Sequence, residues 1–170
     1  VPLISYNVPP EEIRGLVRDG HRVLKVKIGQ AGDPNRMVDL DCRRLTEIHD
    51  AVAGESVAVR YYLDANGRYP DRSTLMRTLE HAERIGILTD TILLEEPFPY
   101  GSQISVQGIP VRVAADESLH SIADVADRVE LGYRALALKP AGKTLSLSIL
   151  MANEAARLEI PCFVADSACV

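Results

Sequence analysis

Residues 23–29 read VLKVKIG. The run is short, β-branched and apolar and closes on a glycine, so it reads as a strand ending at Gly29. Lys25 and Lys27 alternate with Val26, which places both ammonium groups on one side of that strand near its C-terminal end. Four later runs repeat the arrangement. SVAVRYYLDANG (56–67) delivers Asp64, TILLEEP (91–97) delivers Glu95, IPVRVAADES (109–118) delivers Asp116, and RALALKP (134–140) delivers Lys139. Five consecutive strands presenting charge at the same end is how a barrel assembles one site from distant parts of a chain.

The segments between these strands carry helical signals. PPEEIRGLVRDG (9–20) opens on prolines and acids and closes on Gly20. DPNRMVDLDCRRLTEIHDAVAG (33–54) spaces Met37, Leu40, Leu45, Ile48 and Val52 near the helical period. DRSTLMRTLEHAERIG (71–86) has Asp71 or Ser73 as N-cap, and SIADVADRVELG (121–132) has Ser118 or Asp116 in that position. TLSLSILMANEAARLEI (144–160) is a further helix, whereas GSQISVQG (101–108) is too short and polar for one. VPLISYN (1–7) supplies a first strand and PCFVADSACV (161–170) a seventh. Strand runs rich in Val, Ile and Leu on both faces are those of buried parallel strands. Alternating βα units allow a doubly wound sheet or a barrel. An open sheet gathers its ligand groups at one switch point, whereas here strands two to six all contribute. The expected fold is therefore α/β, a TIM-type (β/α) barrel with seven of eight strands present, as one domain over residues 1–170 lacking the last strand.

Composition narrows the function. The 170 residues are 46% hydrophobic and 25% charged, with net charge −5, enough for one sizeable core. Basic residues are scattered, which argues against a nucleic-acid partner, and no apolar run approaches the ~20 residues of a membrane span. Cys42, Cys162 and Cys169 form neither a disulfide framework nor a zinc pattern. The expected setting is the reducing cytoplasm, with Cys162 and Cys169 as small buried hydrophobes. His21, His49, His81 and His120 fall outside the strand ends and read as surface residues. Tyr61 and Tyr62 are expected to pack on opposite faces of their strand, and Asp166 and Ser167 to lie toward the end of the seventh.

The strand-end groups suit one chemistry. Asp64, Glu95 and Asp116 offer oxygen ligands from neighbouring strands, which suits Mg²⁺, with Mn²⁺ also possible, and leaves room for a substrate carboxylate. Lys25 and Lys27 are expected to depress each other's pKa, which makes a lysine a usable base. Lys139 lies four strands away, so a base is available on each face of a carbon, as a 1,1-proton transfer requires. Taken singly, each group has a plainer reading. A strand-end lysine is commonly solvated, DANG is good turn chemistry, EEP a solvated terminus and ADES a helix cap. The ordered recurrence is what favours a site.

In that order KVKIG, LDANG, LLEEP, ADES and LALKP resemble the barrel domain of the enolase superfamily, nearest the mandelate racemase/muconate lactonizing enzymes and, with lysines on the second and sixth strands, the muconate lactonizing subgroup. The resemblance implies metal ligands at Asp64, Glu95 (the first acid of EEP) and Asp116. It implies Lys27 as base on one face, assisted by Lys25, and Lys139 on the other, with Asn66 and Glu117 supporting the metal and the lysines from behind. It also implies abstraction of the proton α to a carboxylate through an enediolate, giving a racemase, epimerase or cycloisomerase. An acid-sugar-type dehydratase and a non-catalytic barrel are the alternatives. A small-molecule carboxylate and a homo-oligomeric assembly are the expected partners. The family's N-terminal α+β capping domain is not seen in this stretch.

Overall fold

A computed structural model describes residues 1–165. Seven strands form one parallel sheet: β1 (Leu3–Ile4), β2 (Val23–Lys27), β3 (Arg60–Asp64), β4 (Thr91–Glu95), β5 (Val113–Ala115), β6 (Ala135–Leu138) and β7 (Cys162–Val164). Their order in the sheet is their order in the chain, every neighbouring pair is parallel, and no pairing joins β1 to β7 among the described residues. This is part of a (β/α) barrel, as the alternating pattern predicts.

Helices α1 (Pro10–Arg18), α2 (Pro34–Ala53), α3 (Arg72–Arg84), α4 (Ile122–Glu130), α5 (Pro140–Lys143) and α6 (Leu145–Arg157) fill the connections. Residues 96–112 cross from β4 to β5 without a helix, as the polar GSQISVQG implies. The start of α2 is set by Asp33, whose carboxylate accepts from the Asn35 and Arg36 amides, and that of α3 by Asp71, which accepts from Thr74. The cap of α4 differs from expectation. Ser121 and Asp124 form a capping box there, because the Ser118 hydroxyl and amide are already bound to Glu96. No helix among the described residues is long and apolar enough to cross a membrane.

The main core lies between sheet and helices, where Leu24, Val26, Leu63 and Leu94 from the strands meet Ile13, Leu45, Ile48, Leu75 and Leu79. Strand alternation sends the other faces inward, so Tyr61 joins this outer core while Tyr62 packs inside with Leu93, Ala114 and Ala135. Leu45 is fully buried on α2. Leu45→Ala is expected to cost about 2–5 kcal/mol, the usual loss for an emptied core site, read by urea unfolding. A cost below about 1 kcal/mol would show that the helix layer is loosely packed. At the edge of the sheet Cys162 is exposed, contrary to the expectation of a buried thiol, since among the described residues no helix follows β7 to cover it. Cys169, Asp166 and Ser167 lie outside the described residues.

Candidate active site

Register brings the strand-end groups together. Lys27 pairs with Asp64 across β2 and β3, and Asp64 pairs with Glu95 across β3 and β4, so these three stand in one row on the inner face. One layer deeper, Lys25 stands opposite Tyr62 and Tyr62 opposite Leu93. Glu95 is matched by the small Ala114, and Asp116 follows two residues beyond, on the same side of β5. Lys139 directly follows β6. Every strand-end residue singled out in the sequence thus reaches one end of the sheet.

The contacts among them are dense. Lys25 Nζ lies 2.8 Å from Asp64 Oδ2 and 2.7 Å from Glu95 Oε2, so one cation spans the acids of two strands. It also sits 4.6 Å from the Tyr62 ring centre, and the Tyr62 hydroxyl donates to Glu95. Lys27 Nζ donates to Asp64 Oδ2 at 2.6 Å and to Asn66 Oδ1. Across the mouth, Lys139 is paired with Asp116 and lies 3.6 Å from Glu117 Oε1. Asn66 Nδ2 donates to Glu117 Oε1 at 2.9 Å, which ties the loop after β3 to the turn after β5. A cavity of about 600 Å³ opens here, lined by Lys25, Lys27, Tyr62, Asp64, Lys139 and Phe163 among others, within the range of small-molecule sites.

Titration follows from burial and these neighbours. Burial, then the adjacent Asp116 carboxylate, pushes Glu95 up to about 8 against the pull of Lys25. Burial also acts to raise Asp116, but the neighbouring Glu95 carboxyl and the Lys139 ammonium outweigh it and hold Asp116 below the usual range. Two acids this close share one proton. Lys25 does not shift down as expected. Burial lowers it, but the charges of Glu95 and Asp64 more than offset that, and it rises. Lys139 rises in the same way through Asp116. Lysine spacing alone showed the like charges and hid the carboxylates between them.

The donor set fits a hard dication. Glu95, Asp116 and Glu117 each offer an oxygen within 4.8 Å of the others. Asp64 stands outside that group, held by Lys25, Lys27 and the Asn66 amide. Among the described residues no lysine, hydroxyl or amide donates to Glu95 Oε1 or Asp116 Oδ1, both of them buried, an arrangement that is costly for two facing carboxyls unless a shared proton or a cation lies between them. All these donors are oxygens, the set that Mg²⁺ and Mn²⁺ take.

Three residues near the site were given no site role from the sequence. Tyr62 was readable, since it lies two before Asp64 and shares its face. Glu96 turns away from the interior, and its carboxylate accepts from the Asp116 and Ser118 amides. Lys143, on the short helix α5, donates to the Asp116 carbonyl at 2.8 Å. No strand pattern points to it.

A parallel sheet curved into part of a barrel, with acids and lysines converging on the C-terminal ends of its strands, defines the class as a (β/α)-barrel domain with an acid–lysine mouth. A family model described as "Enolase C-terminal domain-like" matches residues 10–160. The chain therefore belongs to the enolase C-terminal domain-like family, the barrel domain of the enolase superfamily. Among solved structures it is similar to a mandelate racemase/muconate lactonizing enzyme from Roseiflexus sp. (23% identity, TM-score 0.82, covering 98% of this chain and 47% of that one). It is also similar to the muconate lactonizing enzyme from Pseudomonas putida (22%, TM-score 0.74, 98% and 46%) and to an N-succinyl Arg/Lys racemase from Bacillus cereus (17%, TM-score 0.79, 98% and 44%). The chain spans less than half the length of each of these structures. Comparison with curated protein sequences finds no match.

Proposed function

We propose that this domain abstracts the proton α to a substrate carboxylate with Mg²⁺ bound at the strand ends, as a racemase, epimerase or cycloisomerase. The observation that carries the reading is the pairing of two lysines, Lys27 and Lys139, on opposite sides of one cluster of buried carboxylates. Asp64, Glu95 and Asp116 are the proposed ligands, with Mn²⁺ as an accepted substitute. Bound there, the ion supplies positive charge against the charge that builds on the substrate carboxylate as its α-proton leaves.

The chain's own residues do the rest. Lys27, oriented by Asp64 and Asn66, takes or returns the proton on one face. Lys139, oriented by Asp116 and Glu117, does so on the other. Lys25, lying deeper, supplies fixed charge toward the substrate carboxylate. Tyr62 and Phe163 form an apolar wall that limits water. The sixth-strand lysine favours the muconate lactonizing pattern over the mandelate racemase pattern, with its His–Asp pair on later strands, as β7 carries no histidine. An acid-sugar dehydratase is the second reading, since elimination can follow the same proton abstraction.

The test incubates the full-length protein in D₂O with Mg²⁺ and a panel of dipeptides, N-acylamino acids and hydroxy acids, and follows the α-proton by NMR. Exchange on one compound class that stops on chelation is the expected result. Absence of exchange on every class would favour the non-catalytic barrel.

The site also predicts a pH dependence. Glu95, raised to about 8 by burial, prefers its proton in the folded state. Its contribution to stability is complete below the usual carboxylate range and is lost as pH rises through that raised value. A ligand must shed its proton, so cation binding competes with it. The rise in Tm on adding Mg²⁺ is therefore expected to grow between about pH 6 and 8. A rise of the same size across that range would contradict this placement of Glu95.

A further inference from the structure

Strand β5 is three residues long and its ladder ends at Ala115, so the backbone of Asp116 lies beyond the sheet's own hydrogen bonds. Its position must come from elsewhere. The Asp116 amide donates to Glu96 Oε2 at 2.6 Å, and the Ser118 amide and hydroxyl donate to the same oxygen at 3.1 and 2.9 Å. Glu96 is fully buried. Its backbone is engaged as well, with its amide donating to the Ala114 carbonyl at 2.9 Å and its carbonyl accepting from the Gly67 amide at 2.6 Å. One residue thus joins the chain just after Asp64, the chain just after Glu95 and the turn that carries Asp116. Glu96 holds a positive φ of 36°, a conformation that costs a non-glycine residue and persists only where its surroundings impose it.

We infer that Glu96 is a positioning residue for the cation site: it sets the Asp116 turn against the ends of β3 and β4, so that three carboxylates converge before any ion arrives. The inference rests on the metal reading above. It assigns Glu96 no contact with ion or substrate. Its work is done through acceptance of three hydrogen bonds by one oxygen, while its other oxygen has no partner among the described residues. That asymmetry separates geometry from charge. In Glu96→Gln the amide oxygen can accept the same three bonds, and the amide nitrogen falls where nothing is bonded now. Glu96→Leu removes the acceptor and the charge together.

The experiment measures Mn²⁺ binding to the full-length protein by the EPR signal of free Mn²⁺, alongside thermal unfolding. Glu96→Leu is expected to weaken binding ten- to a hundredfold, the usual effect of losing a support behind a ligand, and Glu96→Gln to stay within about threefold of wild type. Ser118→Ala, which deletes one of the three bonds, is expected to weaken it about two- to fivefold. Wild-type affinity in Glu96→Leu overturns the inference. Equal losses in Glu96→Gln and Glu96→Leu also overturn it, since the residue would then act through its charge. If Glu96→Leu does not fold, unchanged binding in Ser118→Ala or a large loss in Glu96→Gln overturns it, and the opposite pair of results supports it. A wild-type protein that binds no Mn²⁺ overturns the metal reading itself, and this inference with it.

Discussion

In Lys27→Ala and in Lys139→Ala, turnover is expected to fall by about 10²–10⁴, the usual contribution of a positioned acid or base, with the fold intact. Both ammonium groups lie at the mouth with about one fifth of their side chains exposed. Neither is the sole partner of the acid it meets. Without Lys27, Asp64 keeps Lys25 at 2.8 Å. Without Lys139, the Asp116 carboxylate keeps Lys143 at 3.9 Å. The buried acids therefore stay compensated, and the loss appears in rate rather than in Tm. Full turnover in either variant would remove that lysine from the chemistry. A parallel collapse of Tm would assign it to holding the carboxylates instead.

Asp64→Asn is expected to weaken Mg²⁺ binding roughly a hundredfold or more, as a charged oxygen ligand is lost, and Glu117→Gln at most about tenfold. The two residues compete for the third ligand position. Glu117 belongs with Glu95 and Asp116 in the closest group of acidic oxygens, while Asp64 stands outside it. Asp64, however, is almost wholly buried, and one ammonium already bridges it to Glu95. A position where a cation sits between two carboxylates is one that a divalent cation can take. Glu117 is only half-buried and is committed to Asn66 and Lys139. Titration calorimetry on both variants decides between them. The larger loss in Glu117→Gln would move the third ligand from Asp64 to Glu117.

Much of this arrangement was legible in the chain because strands alternate. Lys25 and Lys27, Tyr62 and Asp64, and Glu95 against Glu96 are sorted inward or outward by parity alone, and the register then sets Lys27, Asp64 and Glu95 in a row. Where strands end, parity fails. Glu117 follows Asp116 directly and would point outward on a longer β5, but the strand has stopped at Ala115 and the turn brings Glu117 back toward the mouth. Lys143 reaches Asp116 from a four-residue helix that no periodicity announces. The cap of α4 was present in the sequence as Ser121 with Asp124 three residues on. Ser118 looked equivalent only because its bond to Glu96 is a tertiary contact. The rise of Lys25 likewise depends on carboxylates from two other strands.

The central claim is that two lysines face one carbon from opposite sides of a metal-dependent site. Enantiomer-resolved exchange of the α-proton in D₂O, run on Lys27→Ala and Lys139→Ala side by side with Mg²⁺, tests it most directly. For a racemase or epimerase, each variant is expected to lose exchange from one enantiomer and keep it for the other, in mirror-image fashion. Dependence of all exchange on a single lysine would narrow the reaction to cycloisomerisation or elimination. Exchange that survives unchanged in both variants would contradict the account.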